Sequence, residues 1–291
     1  RSRKMLAPLL LEQEDRACLV FHKGLATFFH GHGIEDGPVN EMKKNVLILT
    51  TGSSGSSVLA GLLASKGFWV GHETKKLKFD TYENSRLVDL NMAILRASGF
   101  RRRDCNDIPP PDRSKIEQSA LEVELRPYTS FLEECRQYEP WLWKDPRLAY
   151  TGHFWQGITD FKNCLALIIS RQHRQSYSGL LLDRDVPMSS RQLKEINDNY
   201  IKNITIFLKK TGLPFWELQF EELIVSPESS CDRMSDFLGI DISIDDLKKV
   251  YKGRLYKKRY RFWSFHMAHI KYLMHRLILR DHVRFPRLDD A

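Results

Sequence analysis

The sequence contains few cysteines and no long apolar run. Its five cysteines, at positions 18, 105, 135, 164 and 231, form no Cys-x-x-Cys pair, which disfavours both a secreted disulfide scaffold and a cysteine zinc site. No stretch approaches the roughly 18 apolar residues that a membrane-spanning helix needs. A cytoplasmic protein is therefore predicted. The chain begins at Arg1 rather than at methionine, which leaves an anchored or multidomain parent protein open.

Positive charge is in excess, and it is concentrated at one end of the chain. The 291 residues include 45 Lys and Arg against 37 Asp and Glu, a formal charge of +8. Residues 251–291, called the tail below, hold eleven Lys and Arg and three Asp, which leaves 34 charges of each sign in the first 250 residues. An apolar fraction of 42% is enough to build a core and excludes a disordered chain. The excess indicates an anionic partner for the tail.

The clearest local pattern is a strand, a turn and a helix in succession. Val46–Leu49 is a short apolar run, Thr50–Ser57 is rich in Gly, Ser and Thr, and Val58–Lys66 has the pattern of a helix. The apolar run Leu165–Ile169 is a second candidate for a buried strand, and Phe215-Trp216-Glu217-Leu218, after Pro214, is a third. Helical patterns lie between the strands, at 84–98, 114–136, 174–183, 190–211 and 227–238.

Strands that alternate with helices usually form a parallel sheet. The sequence therefore predicts an α/β fold, a single domain with a central, mostly parallel β-sheet flanked by helices. We assign this domain to residues 45–250. A helical lead-in is expected at 1–44, and the tail is expected to be a basic, amphipathic helical segment that packs on the domain.

The turn after the first strand has the composition of an anion-binding loop. Its glycines let the backbone approach a ligand closely, and the N–H groups at the start of the following helix favour a phosphate. The predicted contacts come from Gly52, Ser53, Ser54, Gly55, Ser56 and Ser57. The alternative is a flexible Gly/Ser loop. It is not a Walker A loop, because no lysine occurs between Thr50 and Ala64.

Several blocks, in order along the chain, resemble the motifs of sulfotransferases. Ser54-Gly55-Ser56-Ser57 is similar to the family's Ser-Gly-Thr-Ser or Ser-Gly-Thr-Thr loop. Tyr82-Glu83-Asn84 is similar to the Tyr-Phe-Glu-Asp block of bacterial members, which opens a helix, and 143–147 contains their Lys-Asp-Pro-Arg signature. Ser170-Arg171 ends a strand where the family has its phosphate-binding arginine, and 221–240 resembles its distal region. The resemblance covers about 45–245.

The resemblance implies a sulfotransferase with a P-loop NTPase-like fold. Such an enzyme moves a sulfuryl group from 3′-phosphoadenosine 5′-phosphosulfate (PAPS) to a hydroxyl or amine by in-line displacement. The product of the donor is adenosine 3′,5′-bisphosphate (PAP), and no metal is required. A small molecule, a lipid or a carbohydrate could be the acceptor.

The resemblance also implies which residues bind the donor. Residues 52–57 would hold its 5′-phosphate, and Arg171 its 3′-phosphate, since a guanidinium pairs well with phosphate oxygens. The family has a serine eight residues after that arginine, where this chain has Gly179, so Ser178, or else Ser176, is the candidate to replace it. Arg254, in the basic start of the tail, is a further candidate for the 3′-phosphate.

The catalytic assignments follow the same resemblance. The loop cation that precedes Ser-Gly in the family is Ser53 here, and Lys144 is the candidate to supply the missing charge. An ion pair of Lys144 with Asp145 or another neighbour is the structural alternative. Glu83 is the candidate general base, with His72 and Glu73 as rivals. The alternative for Glu83 is a carboxylate that merely stabilises a helix N-terminus.

The tail allows other partners and other functions. Trp263, Met267, Ile270, Met274 and Leu277 recur at helical spacing, and this stripe is expected to dock the helix on its own domain. Attachment to a membrane surface, or docking of an acidic carrier or polysaccharide, is the alternative. Two other classes stay open: a P-loop kinase-like nucleotide-binding protein, and a nucleic-acid binder that uses the basic tail. For the sulfotransferase no nucleic-acid partner is expected.

Overall fold

The structure is a computed structural model. It describes residues 43–76, 79–101, 113–183, 186, 188–253, 255–256 and 262–278. The predicted lead-in, except for its last two residues, lies outside the described residues, and so does Arg254.

Six strands and eleven helices make up the described chain. The strands are β1 (Asn45–Thr50), β2 (Thr74–Lys76), β3 (Asp80–Asn84), β4 (Leu142–Lys144), β5 (Cys164–Ser170) and β6 (Phe215–Gln219). The helices are α1 (Ser56–Ser65), α2 (Ser85–Ala97), α3 (Arg113–Glu122), α4 (Arg126–Gln137), α5 (Leu148–Trp155), α6 (His173–Ser178), α7 (Ser190–Thr211), α8 (Phe220–Val225), α9 (Pro227–Leu238), α10 (Ile244–Val250) and α11 (Phe262–Ile278). A π-helical turn, Gly179–Asp183, extends α6.

Four of the strands form the central sheet, in the order β4-β1-β5-β6, and all neighbours are parallel. Side chains of β1 alternate between two cores: Leu47 and Leu49 face one, and Val46 and Ile48 face the other. Both cores are completed by helices, because each face of a buried parallel sheet must be covered. The predicted α/β fold, a parallel sheet flanked by helices, is confirmed.

The strand order changes direction at β1. After β1 the chain moves to β4 on one side, and it then returns to β5 on the other side of β1. In open α/β sheets, ligands bind outside the carboxyl ends of the strands at such a switch of direction. The segments that leave β1 and β5 at this point are 51–55 and 171–172. The fold therefore brings the Gly/Ser turn and Arg171 to the same edge.

The segment around Glu83 differs from the prediction. Tyr82, Glu83 and Asn84 do not open a helix, because they form the end of β3, which pairs antiparallel with β2. The helix α2 begins one residue later, where Oδ1 of Asn84 accepts hydrogen bonds from the backbone N–H groups of Arg86 and Leu87. The asparagine acts as an N-cap, and caps have non-helical dihedrals.

Other boundaries differ for local reasons. The pattern at 114–136 predicted one helix, but the structure has two, α3 and α4, and Pro127 lies in the first turn of α4. Proline favours that position because it has no N–H to leave unpaired. The short elements β2, β3, β4, α5, α8 and α10 were not predicted.

The tail helix α11 packs with a different face from the predicted one. Ala268 is fully buried, and Phe265 and Tyr272 contact the core beside it. Four members of the predicted docking stripe, Met267, Ile270, Met274 and Leu277, are exposed instead, so that prediction is wrong for them. Among the helices that the structure describes, none is both long and apolar enough to cross a membrane.

Gly61 determines how closely the β2–β3 hairpin approaches α1. A Cβ atom at position 61 would lie 2.8 Å from the ring of Tyr82. We expect Gly61→Ala to lower the free energy of unfolding by about 1–3 kcal/mol, the usual cost of overpacking. In a Tyr82→Ala background the same change should be neutral or stabilising, because alanine has the higher helix propensity. Urea unfolding of the four chains measures this coupling; an equal cost in both backgrounds contradicts it.

Candidate functional site

The loop between β1 and α1 has a conformation suited to an anion. Three of its residues have positive φ: Gly52 (75°), Ser53 (50°) and Gly55 (86°). Within the described ranges, no acceptor is in hydrogen-bond contact with the backbone N–H groups of residues 52–57. Successive free N–H groups at the N-terminus of a helix form a concave site for anions. The loop can therefore donate to several oxygens of one phosphate.

Two features fix the conformation of the loop: a hydrogen bond at its start and the ring of Phe220 beside Gly55. The buried hydroxyl groups of Thr50 and Ser54 are hydrogen-bonded to each other. The backbone of Gly55 lies so close to Phe220 that a Cβ atom at position 55 would be 2.3 Å from its ring. No residue other than glycine fits there, since both the contact and the positive φ exclude a side chain. Phe220, at the start of α8, thus fixes the path of the loop.

Lys144, the last residue of β4, is the cation nearest to the start of α1 in the contacts that the structure describes. Its side chain is only 3% exposed. Nζ lies 2.6 Å from Oε1 of Glu83, 3.1 Å from the carbonyl oxygen of Thr81 and 3.4 Å from Oγ of Ser57. A lysine ammonium group has three donors, and all three are used. The lysine thus joins the sheet, the hairpin and the first turn of α1.

Glu83 presents one free carboxylate oxygen beside this lysine. Oε1 is held by Lys144, whereas Oε2 accepts no hydrogen bond from any residue that the structure describes. The side chain is 16% exposed, so a small molecule can reach it. Glu83 directly precedes Asn84, the N-cap of α2, but the partner that the structure describes for its side chain is Lys144. A fixed carboxylate with a free oxygen can accept a proton.

The rest of the Lys-Asp-Pro-Arg block faces the core. Asp145 is fully buried and accepts hydrogen bonds from the backbone N–H of Arg147 (2.9 Å), from its guanidinium (2.8 Å) and from Nδ2 of Asn91 (2.8 Å). Lys144 does not pair with Asp145, because successive side chains of an extended chain point in opposite directions and the Asp145 carboxylate is taken by Asn91 and Arg147. Lys144 therefore forms an ion pair, as the structural alternative expected, but its partner is Glu83 and not Asp145.

Arg171 lies on the other side of the loop, directly after β5. One of its terminal nitrogens is 3.4 Å from the carbonyl oxygen of Ser53, and its guanidinium carbon is 5.5 Å from the centre of the Phe220 ring. Nε is 3.8 Å from Oε1 of Glu221 and makes no hydrogen bond with the described residues. A guanidinium in this place can bind a second anionic group.

The carboxylate of Glu221 lies beside the guanidinium group of Arg171. Its carboxylate is almost fully buried and accepts the backbone N–H of Gln172 at 3.2 and 3.3 Å. Burial raises the pKa of the Glu221 carboxyl group above its ordinary value, while these hydrogen bonds and Arg171 oppose the rise. Neither Glu221 nor Phe220 was predicted as part of the site. Glu221 belongs to the segment 221–240 that resembles the distal region of sulfotransferases, but that resemblance assigns it no role.

Two predicted residues are not brought to this arrangement by any described contact. His72 packs on Trp69 and Tyr138, and its Nε2 lies 3.3 Å from Glu134. Its side chain is therefore directed at α4 and not at Lys144. The rival Glu73 is exposed, and the contact described for it is its carbonyl oxygen, which accepts the N–H of Ser85.

The serine predicted to complete the Arg171 site is also used elsewhere. Oγ of Ser178 donates to the carbonyl oxygen of Arg174, one turn back in its own helix. The position that does face the arginine is 179, where a Cβ atom would lie 3.7 Å from a terminal nitrogen of Arg171. This chain thus has no hydroxyl group at position 179.

The described cysteines offer no nucleophile. Burial raises the pKa of Cys135 and Cys164 to about 12 and that of Cys231 to about 11, so the reactive thiolate is scarce. Within the described ranges, no group of three His, Cys, Asp or Glu side chains could hold a metal ion.

Known proteins give only weak similarity. No family model and no curated protein sequence matches the chain. Among solved structures, a sulfotransferase domain from the curacin biosynthetic pathway is 17% identical, with a TM-score of 0.45, over 73% of this chain and 79% of that one. A sulfotransferase domain from the olefin synthase of Synechococcus PCC 7002 is also 17% identical, with a TM-score of 0.45, over 79% and 85%.

A third similar structure is a retinol dehydratase in complex with androsterone and inactive cofactor PAP. It is 12% identical, with a TM-score of 0.35, over 83% of this chain and 82% of that one. At these values the similarity concerns the general arrangement of the chain and assigns no residue and no activity.

The Lys144–Glu83 pair should be strongly coupled in stability. Lys144→Met leaves a carboxylate with little solvent and no partner, and we expect a loss of roughly 3 kcal/mol in the free energy of unfolding. Glu83→Gln should cost less, because its amide oxygen still accepts from Nζ. The double variant should be more stable than the sum of the two losses predicts. Urea unfolding of all four chains tests this, and simple additivity contradicts the pairing.

Proposed function

We propose that this protein is a sulfotransferase that transfers a sulfuryl group from PAPS to a hydroxyl or amine by in-line displacement. The observation that supports the proposal most directly is the position of the Lys144–Glu83 pair at Ser57, beside a loop of free N–H groups. One place thus combines free N–H groups that suit an anion, the cation of Lys144 and the carboxylate of Glu83. This combination suits the transfer of a negatively charged group to an acceptor that must lose a proton.

The residues present fit a donor with two separate phosphates. N–H groups of residues 52–57 suit one phosphate, and Arg171, whose Nε makes no hydrogen bond with described residues, suits another. Bound PAPS supplies a sulfuryl group attached to a good leaving group. The chain's own contribution is to hold these anionic groups in one orientation, which converts a bimolecular reaction into a directed one.

Lys144 and Glu83 have different tasks in the proposed reaction. Nζ of Lys144 keeps a positive charge at Ser57, where negative charge on the departing phosphate would develop. This is the charge that the loop lacks at Ser53. Oε2 of Glu83 accepts the proton of the acceptor, while Oε1 stays bound to Lys144. Their 2.6 Å contact keeps the base at a fixed distance from the loop.

Gly179 is the weakest point of the proposed donor site. The absence of a hydroxyl group beside Arg171 leaves the 3′-phosphate with one contact fewer than the family resemblance implies. Arg171 is therefore expected to carry most of the affinity for that phosphate. The rival function, a P-loop kinase-like protein, would need ATP with magnesium rather than a 3′-phosphorylated nucleotide.

Binding of PAP tests the donor site without any acceptor. We expect PAP to raise the melting temperature of the protein more than ATP with Mg²⁺ does. Arg171→Ala should weaken PAP binding at least tenfold in calorimetry, because charge-assisted hydrogen bonds are lost. Arg233→Ala is the matched control, since this exposed guanidinium also lies over an aromatic ring, Trp216. Unchanged affinity in Arg171→Ala, or a larger shift with ATP and Mg²⁺, rejects the donor.

Glu83→Gln tests the base. It keeps an acceptor for Lys144 but cannot take a proton, so we expect kcat to fall by about 100-fold or more, while PAP affinity stays within twofold. Release of PAP from PAPS is measured with a phenol, an aliphatic alcohol and an amine as acceptors. Asp89→Asn is the control, because Asp89 also pairs with a lysine, Lys75, at 3.1 Å. Equal turnover in the two variants excludes Glu83 as the base.

A further inference from the structure

The outward face of α11 is apolar from Met267 to Leu277. The exposed fraction of the residues on this face is lowest at Ile270, 50%, and highest at Leu277, 76%. Met267, Leu273 and Met274 have values between these. At 3.6 residues per turn, these five positions fall within a sector of about 120°. They form one continuous stripe, which we call the outer stripe, over about 15 Å of helix.

The inner face of α11 is already occupied by the domain. The ring of Tyr177 lies between Phe265 (5.6 Å) and His269 (4.9 Å), and Ala268 is fully buried. Nζ of Lys271 donates to the carbonyl oxygen of Leu181 at 2.8 Å. The helix therefore cannot turn to bury the outer stripe without losing these contacts. A surface helix with one apolar face on the domain normally has a polar face outside.

Exposed apolar residues elsewhere in the described chain are scattered. Phe79, Leu125, Leu182 and Phe215 lie in separate segments of the chain, and single exposures of this kind are ordinary. A stripe of five large residues on one helix is different, since contiguous apolar patches usually mark an interaction surface.

Charge around the stripe indicates the chemistry of its partner. Residues 251–280 contain nine Lys and Arg and no acidic residue. Six of the nine precede α11 and one follows it, so the stripe is flanked by positive charge in the sequence. A partner that matches both properties offers apolar material next to negative charge.

We propose that the outer stripe of α11 inserts into the interface of a membrane that contains anionic phospholipids. Interfacial helices bury an apolar face between the acyl chains and are held by Lys and Arg near the headgroups. A second copy of the chain fits less well, because each tail has an excess of eight positive charges and the two tails repel each other. The proposal is independent of the sulfotransferase function.

Vesicle binding by the full chain tests the proposal. We expect co-sedimentation with phosphatidylcholine vesicles that contain 30% phosphatidylserine to be at least tenfold stronger than with phosphatidylcholine alone, and to weaken as salt rises. The variant Ile270→Ser/Leu273→Ser/Leu277→Ser should lose at least tenfold in partitioning. The control Phe79→Ser/Leu125→Ser/Phe215→Ser removes three exposed apolar side chains outside the tail and should bind as the parent chain does.

Urea unfolding of both variants shows whether a loss of binding comes from unfolding, and a parent-like midpoint in the outer-stripe variant supports the proposal. Equal partitioning of the two variants overturns it, and so does equal binding to the two kinds of vesicle. Light scattering without lipid tests the remaining possibility, that a second copy of the chain covers the outer stripe. A parent dimer that the outer-stripe substitutions convert to a monomer means that a second copy covers the stripe, which also overturns the proposal.

Discussion

The contact between Nζ of Lys144 and the carboxylate of Glu83 is the constraint on which the site depends. The lysine is the last residue of β4, the glutamate is the next-to-last residue of β3, and Ser57 lies in the first turn of α1. Because Lys144 is buried, the charge must be compensated locally. The pairing of this buried ammonium group thus ties the hairpin to the start of α1, and it holds together the two groups to which we assign roles in the proposed reaction.

Most of the central sheet could be predicted, and the reason is local. The strands β1 and β5 are apolar runs, and buried parallel strands require such runs. The strand β6 was also predicted, but it is not buried as expected: it lies at the edge of the sheet, and of its five residues only Leu218 is buried. The hairpin could not be predicted in this way, since Thr74–Lys76 and Asp80–Asn84 are polar and their pairing depends on packing, such as Tyr82 against Gly61. The end of β3 was mistaken for a helix start because Asn84, its last residue, is the N-cap of α2.

The site was predictable to a similar extent. The loop was predicted from the composition of a turn, whereas Arg171 was predicted only from the sulfotransferase resemblance, which places an arginine at the end of this strand. The orientation of Ser178, the distance of position 179 from Arg171 and the direction of His72 depend on how α6 and the hairpin pack, which no local pattern contains. The same is true of the tail. Helical periodicity identified the apolar positions of α11 correctly, but periodicity alone cannot tell which of two apolar faces packs on the domain.

The ring of Phe220 has a consequence for the kinetics of ligand capture. It contacts Gly55 on one side and lies beneath the guanidinium of Arg171 on the other, so it keeps the cation and the loop at a fixed spacing. A loop that is already in its final shape loses little conformational entropy when a ligand arrives. For the proposed donor, the rate of association would then be governed by diffusion and charge rather than by rearrangement of the loop.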